Sequence, residues 1–167
     1  MKKAVQIELA TPADAYAIAR LSARVIEHGL PWRWTPPRIQ RAIRDARTNV
    51  VVARLDGVVA GFGVMIYGDE VAHLVLFAVA EAQRRRRIGS RLLEWLELVA
   101  RTAGIARVRL EARSDNAAAR AFYRRQGYIE LRAVPGMYLG MEDGVHLEKT
   151  LFEALRLPYR VGSGGGA

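Results

Sequence analysis

The residues most suggestive of chemistry are four consecutive arginines, Arg84, Arg85, Arg86 and Arg87. They follow an apolar run and precede a helix predicted to begin at Ile88, so they lie at a strand-to-helix turn. A helix N-terminus carries partial positive charge and free N–H groups, so cations there are unfavourable unless an anion is bound. A phosphate at this turn would accept hydrogen bonds from both guanidinium and main-chain N–H groups. The segment therefore predicts a phosphate site, and a solvated basic turn is the alternative interpretation.

Positive charge is concentrated around this segment. The chain has 167 residues and a formal net charge of +9, and twelve arginines against four acidic residues fall between Arg84 and Arg125. Such clustering indicates an anionic partner, which could be a phosphate, a nucleic acid or an acidic protein surface. Nucleic acid is the weaker prediction, because its binding faces interleave aromatic with basic side chains, and only Trp95 lies between Arg84 and Arg113.

Composition excludes several classes of function. The chain contains no cysteine, which excludes disulfide scaffolds, thiolate metal sites, iron–sulfur clusters and acyl transfer through an enzyme thiol. No metal site is predicted. The longest apolar run, 74–80, is far shorter than the roughly 20 residues that span a bilayer, and no secretory signal follows Lys2 and Lys3. These features predict a cytoplasmic protein without a membrane partner.

Hydrophobic periodicity predicts a mixed α/β fold of order β-α-α-β-β-β-α-β-α-β-β. We predict strands at 5–9, 50–55, 58–67, 71–79, 107–112, 128–133 and 145–151, and helices at about 13–27, 38–47, 88–103 and 117–126. Asp56-Gly57 is a strong hairpin signal, and Asn116 is typical of a helix N-cap. Residues 1–159 are predicted to form one domain, followed by a flexible glycine-rich tail at 160–167.

The same periodicity predicts which helix residues are buried. In the first helix these are Tyr16, Ile18, Leu21 and Val25. In the third helix they are Ile88, Leu92, Trp95, Leu96, Val99 and Ala103, with Glu97 outside the buried stripe.

Two motifs resemble those of the GNAT superfamily of acyl-CoA N-acyltransferases. The family's pyrophosphate loop, Gln/Arg-x-x-Gly-x-Gly/Ala, is similar to 84–89, although Arg87 stands where the family usually has a glycine that permits close backbone approach. The second motif is matched by Asn116-x-x-Ala119-x-x-Phe122-Tyr123-x-x-x-Gly127-Tyr128. The resemblance implies a mixed, largely antiparallel central sheet of six to seven strands flanked by about four helices.

A finer resemblance links the run Leu110-Glu111-Ala112-Arg113-Ser114-Asp115-Asn116 to the bacterial ribosomal-protein N-terminal acetyltransferases, the RimI group. It implies acetyl-CoA as cofactor and direct attack by an amine in a ternary complex. A protein N-terminal amine is the favoured acceptor, and a small-molecule amine, a polyamine or an antibiotic is the alternative. Monomer and homodimer both remain open.

The resemblance also implies catalytic roles. Tyr123 is expected to be the acid that protonates the departing thiolate, and Glu111 the general base. His73 is the alternative base, because Ala72-His73-Leu74 resembles the fourth strand of arylalkylamine acetyltransferases. A histidine has the more suitable unperturbed pKa, about 6.5, so a glutamate base requires a pKa raised by burial or a water chain. We rank Glu111 first.

Further residues are expected to line the site. The cofactor should contact Phe77, Ala78, Val79, Arg84, Arg85, Arg86, Arg87, Ile88, Gly89, Ser90, Asn116, Ala119 and Tyr123. Candidate walls of the acceptor site are Trp32, Trp34 and Tyr138, with simple packing as the alternative. Phe122 is expected in the core and Tyr123 towards the cleft, although Tyr123 could also be a packing residue. His28 and His146 carry no motif and are interpreted as structural or surface residues.

Overall fold

The chain folds into a seven-stranded sheet with helices on both faces. The structure, a computed structural model, describes residues 4–84 and 86–152. Its strands are β1 (Gln6–Leu9), β2 (Thr48–Leu55), β3 (Val58–Tyr67), β4 (Val71–Val79), β5 (Arg107–Arg113), β6 (Ile129–Tyr138) and β7 (Glu142–Thr150). Its α-helices are α1 (Ala15–Val25), α2 (Pro36–Arg44), α3 (Ile88–Thr102) and α4 (Ala117–Arg125), with 3-10 turns at Pro12–Asp14 and Glu81–Gln83. The order of strands and α-helices confirms the prediction, while Arg85 and the predicted tail lie outside the described residues.

The strands lie in the order β1-β2-β3-β4-β5-β7-β6. Neighbours are antiparallel except β4 and β5, which run parallel. Successive strand residues point to opposite faces, so Val51 packs in one core with α3 while Val50 and Val52 pack in the other with α1 and α2. In the part of the chain described, no helix combines the length and apolarity needed to cross a membrane.

A bulge in β4 determines where the sheet opens. Val64 lies opposite Leu76 but Met65 lies opposite Leu74, so Val75 is an extra residue in β4. The bulge changes the face to which the strand points its apolar side chains: Leu74 packs on the α3 side, and Leu76 packs on the α1 side. Pairing of β4 with β5 covers only Val71–Leu74 against Arg107–Leu110. Beyond that point the two parallel strands separate.

The local signals in the sequence correspond to observed turns and caps. Asp56 and Gly57 have φ of 53° and 77°, the left-handed conformations that a two-residue hairpin turn requires. Asn116 caps α4 by accepting a hydrogen bond from the amide of Ala119 at 3.1 Å. The predicted hairpin and N-cap are therefore confirmed.

Several predicted boundaries shift in the structure. Helix α1 ends at Val25 instead of 27, and α2 spans Pro36–Arg44 instead of 38–47 because two prolines fit its first turn. Strand β6 continues to Tyr138 instead of ending at 133. It is an edge strand, and an edge accommodates Pro135, which cannot donate to a ladder.

Three predictions of burial are wrong. Tyr16 is 65% exposed, because the buried stripe of α1 runs through Ala15, Ile18, Ala19, Leu21 and Ser22. Ala103 is exposed because α3 ends at Thr102. Glu97, expected outside the stripe, is only 3% exposed.

Glu97 is buried as the centre of a polar cluster. The Tyr128 hydroxyl donates to Glu97 Oε1 at 3.0 Å and the Lys149 ammonium donates to Oε2 at 2.8 Å. The Arg101 guanidinium lies 3.6 Å from the same carboxylate. A buried charge is tolerated when it is paired and hydrogen-bonded, so this cluster fastens α3 to β7.

Replacing Glu97 by alanine is expected to lower the free energy of unfolding by about 2 kcal/mol or more, because it leaves Lys149 and Tyr128 without their acceptor. Urea denaturation measures the change. The control is Glu94→Ala, an exposed position on the same helix, expected to change stability by less than about 0.5 kcal/mol. Equal effects of the two substitutions would contradict a stabilising role for the cluster.

Candidate functional site

A cavity of about 1000 Å³ occupies the gap between β4 and β5. Its floor is the stretch Val75–Val79 of β4, and its walls come from the start of α3, from α4, from the α1–α2 loop and from the end of β6. Since the ladder with β5 ends at Leu74, the edge of β4 that faces the cavity has no strand partner there. Main-chain N–H and C=O groups at this edge are therefore available to a ligand.

One end of the cavity is lined by arginines and by the start of a helix. Arg84, Arg87 and the first residues of α3, Ile88, Gly89 and Ser90, line it. Within α3 the amide of Arg91 donates to the Arg87 carbonyl at 3.0 Å, so the amides before Arg91 have no acceptor in their own helix. Arg125 of α4 lines the same region. Most of the predicted phosphate site is thus brought together, but Arg86 is exposed and does not line the cavity.

Arg87 has an unusual backbone conformation. It is the residue before α3, with φ of 60° and ψ of 16°. This left-handed region costs a residue with a Cβ roughly 1–2 kcal/mol and costs glycine almost nothing. The position at which the sequence departs from the GNAT loop motif is therefore one where the backbone itself favours glycine.

Aromatic rings form the wall between α3 and α4. Phe77 stacks on Phe122 with ring centroids 5.9 Å apart. A Cβ on Gly89 would come within 3.2 Å of Phe122 Cζ, so the glycine leaves room for this ring. Phe122 is partly buried and packs against the core cluster, as predicted, but it also lines the cavity. Tyr123 also lines the cavity, yet it is only 7% exposed and belongs to the core cluster.

The two tyrosine hydroxyls at the cavity hold their protons. Burial raises the pKa of Tyr123 well above its usual range, and the neighbouring Tyr138 raises it further. Burial, with the negative charge of Glu111, raises the pKa of Tyr138 to about 12. At neutral pH both phenols are therefore protonated, and each can donate a hydrogen bond.

Glu111 lies at the cavity wall between two histidines. Its Oε2 is 2.6 Å from His73 Nε2, and its Oε1 is 3.3 Å from His146 Nδ1. The three residues come from adjacent strands, and Glu111 is directly opposite His146 in the β5–β7 register. The two residues that the sequence offered as alternative bases are thus hydrogen-bonded to each other.

The surroundings of Glu111 keep its carboxyl ionised. Burial acts to raise its pKa, but the hydrogen bonds and charges of His73 and His146 outweigh burial, and the pKa lies below its ordinary value. The requirement for a pKa raised by burial is therefore not met. A group that remains a carboxylate at neutral pH can accept a proton but is a weak base.

The α1–α2 loop is fixed by one carboxylate and one guanidinium. Glu27 is 7% exposed, and it accepts hydrogen bonds from the Ser22 hydroxyl at 2.9 Å and from the amides of Arg33 and Trp34 at 2.8 and 3.1 Å. The Arg113 guanidinium donates to the carbonyls of Ile26 and His28 at 2.7 and 2.8 Å. These hydrogen bonds tie the loop to α1 and to β5 without help from a ligand.

This loop determines which aromatic residues face the cavity. Trp34 and Tyr138 line it, and the Arg38 guanidinium lies 3.9 Å from the centre of the Trp34 ring. Trp32 is 44% exposed and does not line the cavity. Trp34 and Tyr138 therefore remain candidates for the acceptor wall, and Trp32 does not.

Comparison with known proteins identifies the family. The pattern of the acetyltransferase (GNAT) family matches residues 14–128, more than half of the chain. The chain belongs to this family. It is an N-acetyltransferase, and its seven strands and four α-helices are the GNAT fold.

The relatives of this GNAT enzyme include two protein sequences and a solved structure, each named an N-acetyltransferase. The N-alpha-acetyltransferase RimI of Mycobacterium tuberculosis is 35% identical over 130 residues, which cover 74% of this chain and 78% of that protein. An uncharacterized N-acetyltransferase of Methanocaldococcus jannaschii is 36% identical over 101 residues, 59% of this chain and 64% of the relative. That match thus spans less than two thirds of the relative. The crystal structure of the ribosomal-protein-S18-alanine N-acetyltransferase from Escherichia coli superimposes with a TM-score of 0.80 at 25% identity, covering 93% of this chain and 99% of that one.

The cavity of this GNAT enzyme fits acetyl-CoA, the usual cofactor of the family. Solved structures of the same fold include enzymes in complex with coenzyme A. Here the buried Oε1 of Gln83, at the cavity wall, has no hydrogen-bond partner among the described residues. The Gln83 oxygen and the free edge of β4 can pair with the amides of a ligand. The N-terminus of α3, beside Arg84 and Arg87, can bind its phosphates.

Sequence reasoning missed three functional contacts of this GNAT enzyme. His146 was interpreted as structural or surface, yet it contacts Glu111. Glu27 and Arg113 were given no role, although they anchor the loop that carries Trp34. Alternation in β7 places His146 on the face opposite Val145 and Leu147, but its meeting with Glu111 depends on a strand register that the sequence does not specify.

Substituting Arg87 separates backbone strain from charge. Arg87→Gly and Arg87→Ala both remove the guanidinium, but only glycine relieves the left-handed strain, so the glycine variant is expected to be more stable by about 1 kcal/mol. Thermal unfolding of the two variants measures the difference. Both should bind acetyl-CoA more weakly at low salt than the parent, because each lacks one cation at the anion end. A glycine variant no more stable than the alanine variant would contradict the strain.

Proposed function

We propose that this enzyme transfers an acetyl group from acetyl-CoA to the α-amine of a polypeptide N-terminus. The observation that carries the proposal is the state of the carboxylates at the acceptor end of the cavity. Only Glu27 and Glu111 line it among the described residues, and both are engaged: Glu27 by three hydrogen-bond donors and Glu111 by two imidazoles. An acceptor with a single amine fits this site, whereas a polycation finds no further carboxylate to pair with.

The strength of the base also favours an α-amine. A terminal α-amine has a pKa of about 7.7 to 8.0, whereas a lysine-type alkylamine has one of about 10.4. At neutral pH a substantial fraction of an α-amine is already neutral, so a weak base such as Glu111 suffices. Polyamines and aminoglycoside antibiotics carry mostly alkylamines, which require a stronger base.

The comparisons support this acceptor class. The M. tuberculosis relative is named an N-alpha-acetyltransferase, and the E. coli structure is named for the alanine of ribosomal protein S18. Small-molecule acetyltransferases share the fold at lower identity: an aminoglycoside 6'-N-acetyltransferase superimposes at 16% identity. Resemblance at that level supports the fold alone.

Acetyl-CoA is held, in this proposal, by the two unpaired sets of main-chain groups. The start of α3 with Arg84, Arg87 and Arg125 receives its phosphates, and the free edge of β4 at Phe77, Ala78 and Val79 pairs with its amide-bearing arm. Asn116 and Ala119 form the α4 side of the channel. When bound, it supplies an acetyl group activated as a thioester.

The remaining residues handle the protons. Glu111 accepts a hydrogen bond from the acceptor amine and so directs the lone pair of the amine nitrogen towards the acetyl carbonyl. The amine then loses a proton, which Glu111 shares with His73, whose Nε2 lies 2.6 Å from Glu111 Oε2. Tyr123 keeps its own proton at neutral pH and donates it to the departing sulfur. In this proposal the acetyl group passes directly to the amine, and an enzyme thioester is excluded because the chain has no cysteine.

An acceptor screen tests the proposal. Release of free coenzyme A is measured with N-terminal peptides, with the same peptides blocked at the α-amine, and with polyamines and aminoglycosides. We expect turnover of the free peptides and none of the blocked ones, even where the blocked peptides contain lysine. Turnover of a small amine with none of any peptide would overturn the acceptor while leaving the acetyltransferase assignment intact.

Glu111→Gln is expected to lower kcat by about 10²–10⁴-fold with little change in the KM for acetyl-CoA, because the side chain acts on the acceptor amine. His73→Ala should lower kcat less, because Glu111 retains the contact with the amine. Glu94→Gln, a matched change on the exposed face of α3, should leave kcat unchanged. Loss of activity in His73→Ala but not in Glu111→Gln would make His73 the principal base.

A further inference from the structure

A second, smaller cavity lies beside the acceptor end of the first. Its volume is about 280 Å³, and it shares Trp34 and Arg38 with the large cavity. Arg41, Asp45, Thr48 and Ile66 are among its other lining residues. The second cavity is a shallow, open depression that adjoins the large cavity at Trp34 and Arg38.

The register of the sheet relates this second cavity to the catalytic groups. Ile66 of β3 is directly opposite His73 of β4, and directly opposed side chains share a face. His73 in turn contacts Glu111 of β5. Two strand spacings, roughly 10 Å, separate β3 from β5, and an extended chain covers this in about three residues. The cavity is thus within reach of the side chains at positions 2 to 4 of an acceptor peptide.

The charge of the second cavity is positive. Arg38 and Arg41 are three residues apart on α2 and so share a helix face. No ion pair in the described part of the chain involves either of them, and the Arg38 guanidinium rests on the Trp34 ring at 3.9 Å. The one carboxylate at this cavity, Asp45, accepts hydrogen bonds from the Thr48 hydroxyl and the Arg47 amide. Two guanidinium groups there consequently lack a carboxylate partner.

Other arginines on the same face are already paired. Arg109 donates to Glu148 at 2.5 Å, and Arg107 lies 3.9 Å from Glu148 and from Glu70. The anion end of the large cavity is committed to the cofactor phosphates. Arg38 and Arg41 are thus the cations at the second cavity, and Arg33 adds a further cation at the large cavity.

We infer that the second cavity binds a carboxylate side chain at position 2, 3 or 4 of the acceptor, so that the enzyme selects polypeptide N-termini bearing an early Asp or Glu. The inference rests on the proposed function. The Arg38 guanidinium lies 3.9 Å from the centre of the Trp34 ring and donates from Nη1 to the Arg33 carbonyl at 3.5 Å, which leaves its other N–H groups for a ligand. Arg41 adds a second set of donors one turn along. This arrangement suits the two oxygens of a carboxylate.

The test uses peptides that differ at one residue. Octapeptides with a common N-terminal residue carry Glu, Gln or Lys at position 2, 3 or 4, and kcat/KM is measured with saturating acetyl-CoA. At one of these positions we expect Glu to exceed Gln by about tenfold or more, the effect of a hydrogen bond to a charged group, and Lys to be the poorest.

Arginine variants locate the effect. Arg38→Gln and Arg41→Gln should each reduce the preference for Glu over Gln to about threefold or less. Arg41 does not line the large cavity, so in Arg41→Gln the turnover of the Gln peptide and the KM for acetyl-CoA should stay close to the parent values. Arg44→Gln is the matched control, because Arg44 is exposed on the same helix and lines neither cavity. It should retain the full preference.

The outcomes separate the inference from the proposed function. Peptides that are acetylated equally well with Glu, Gln or Lys, or a preference for Glu that survives in both Arg38→Gln and Arg41→Gln, would overturn the acidic subsite and leave N-terminal acetylation standing. Turnover of small amines without turnover of any peptide would overturn both.

Discussion

The separation of β4 from β5 is the constraint on which the rest of the site depends. Main-chain groups of a strand require partners, and β4 loses those on one edge once the bulge at Val75 ends its ladder with β5. The start of α3 presents a second unpaired set, one strand-to-helix turn away. A ligand with amides along its length and phosphates at its end satisfies both sets, which is why one backbone irregularity suffices to define a cofactor channel.

At the opposite end of the channel the sheet register, and not a local motif, brings together the groups to which we assign the proton chemistry. Glu111, His73 and His146 come from three adjacent strands, and their contacts keep a half-buried carboxylate ionised. Glu111 is a weak base, and it suits an acceptor amine that is itself weakly basic. The α1–α2 loop and the arginines of α2 place positive charge beside it. The acceptor preferences we propose thus follow from the same cross-strand geometry as the chemistry.

The sequence predicted what neighbouring residues encode. Asp56-Gly57 and Asn116 act through backbone conformations and hydrogen bonds within a few positions, so the hairpin, the α4 cap and the order of elements were predictable. Contacts between distant strands were not. The burial of Glu97 depends on Lys149, 52 residues away, and the contact of His146 with Glu111 depends on how β7 is aligned with β5. Phe122 and Tyr123 share one helical turn, and periodicity could not decide which of them the core would enclose.

The anchoring of the α1–α2 loop has a consequence for how such an enzyme diversifies. Glu27 accepts hydrogen bonds from main-chain amides of the loop, and Arg113 donates to main-chain carbonyls. The one side-chain contact of Glu27 among these is with Ser22, which lies in α1. Neither anchor therefore depends on the identity of a side chain between 28 and 34. Residues in that interval can change without displacing the loop. Side chains in this segment can therefore vary between related enzymes while the backbone of the loop keeps its position. Point substitutions in the segment would then change the acceptor without altering the residues proposed to transfer the acetyl group.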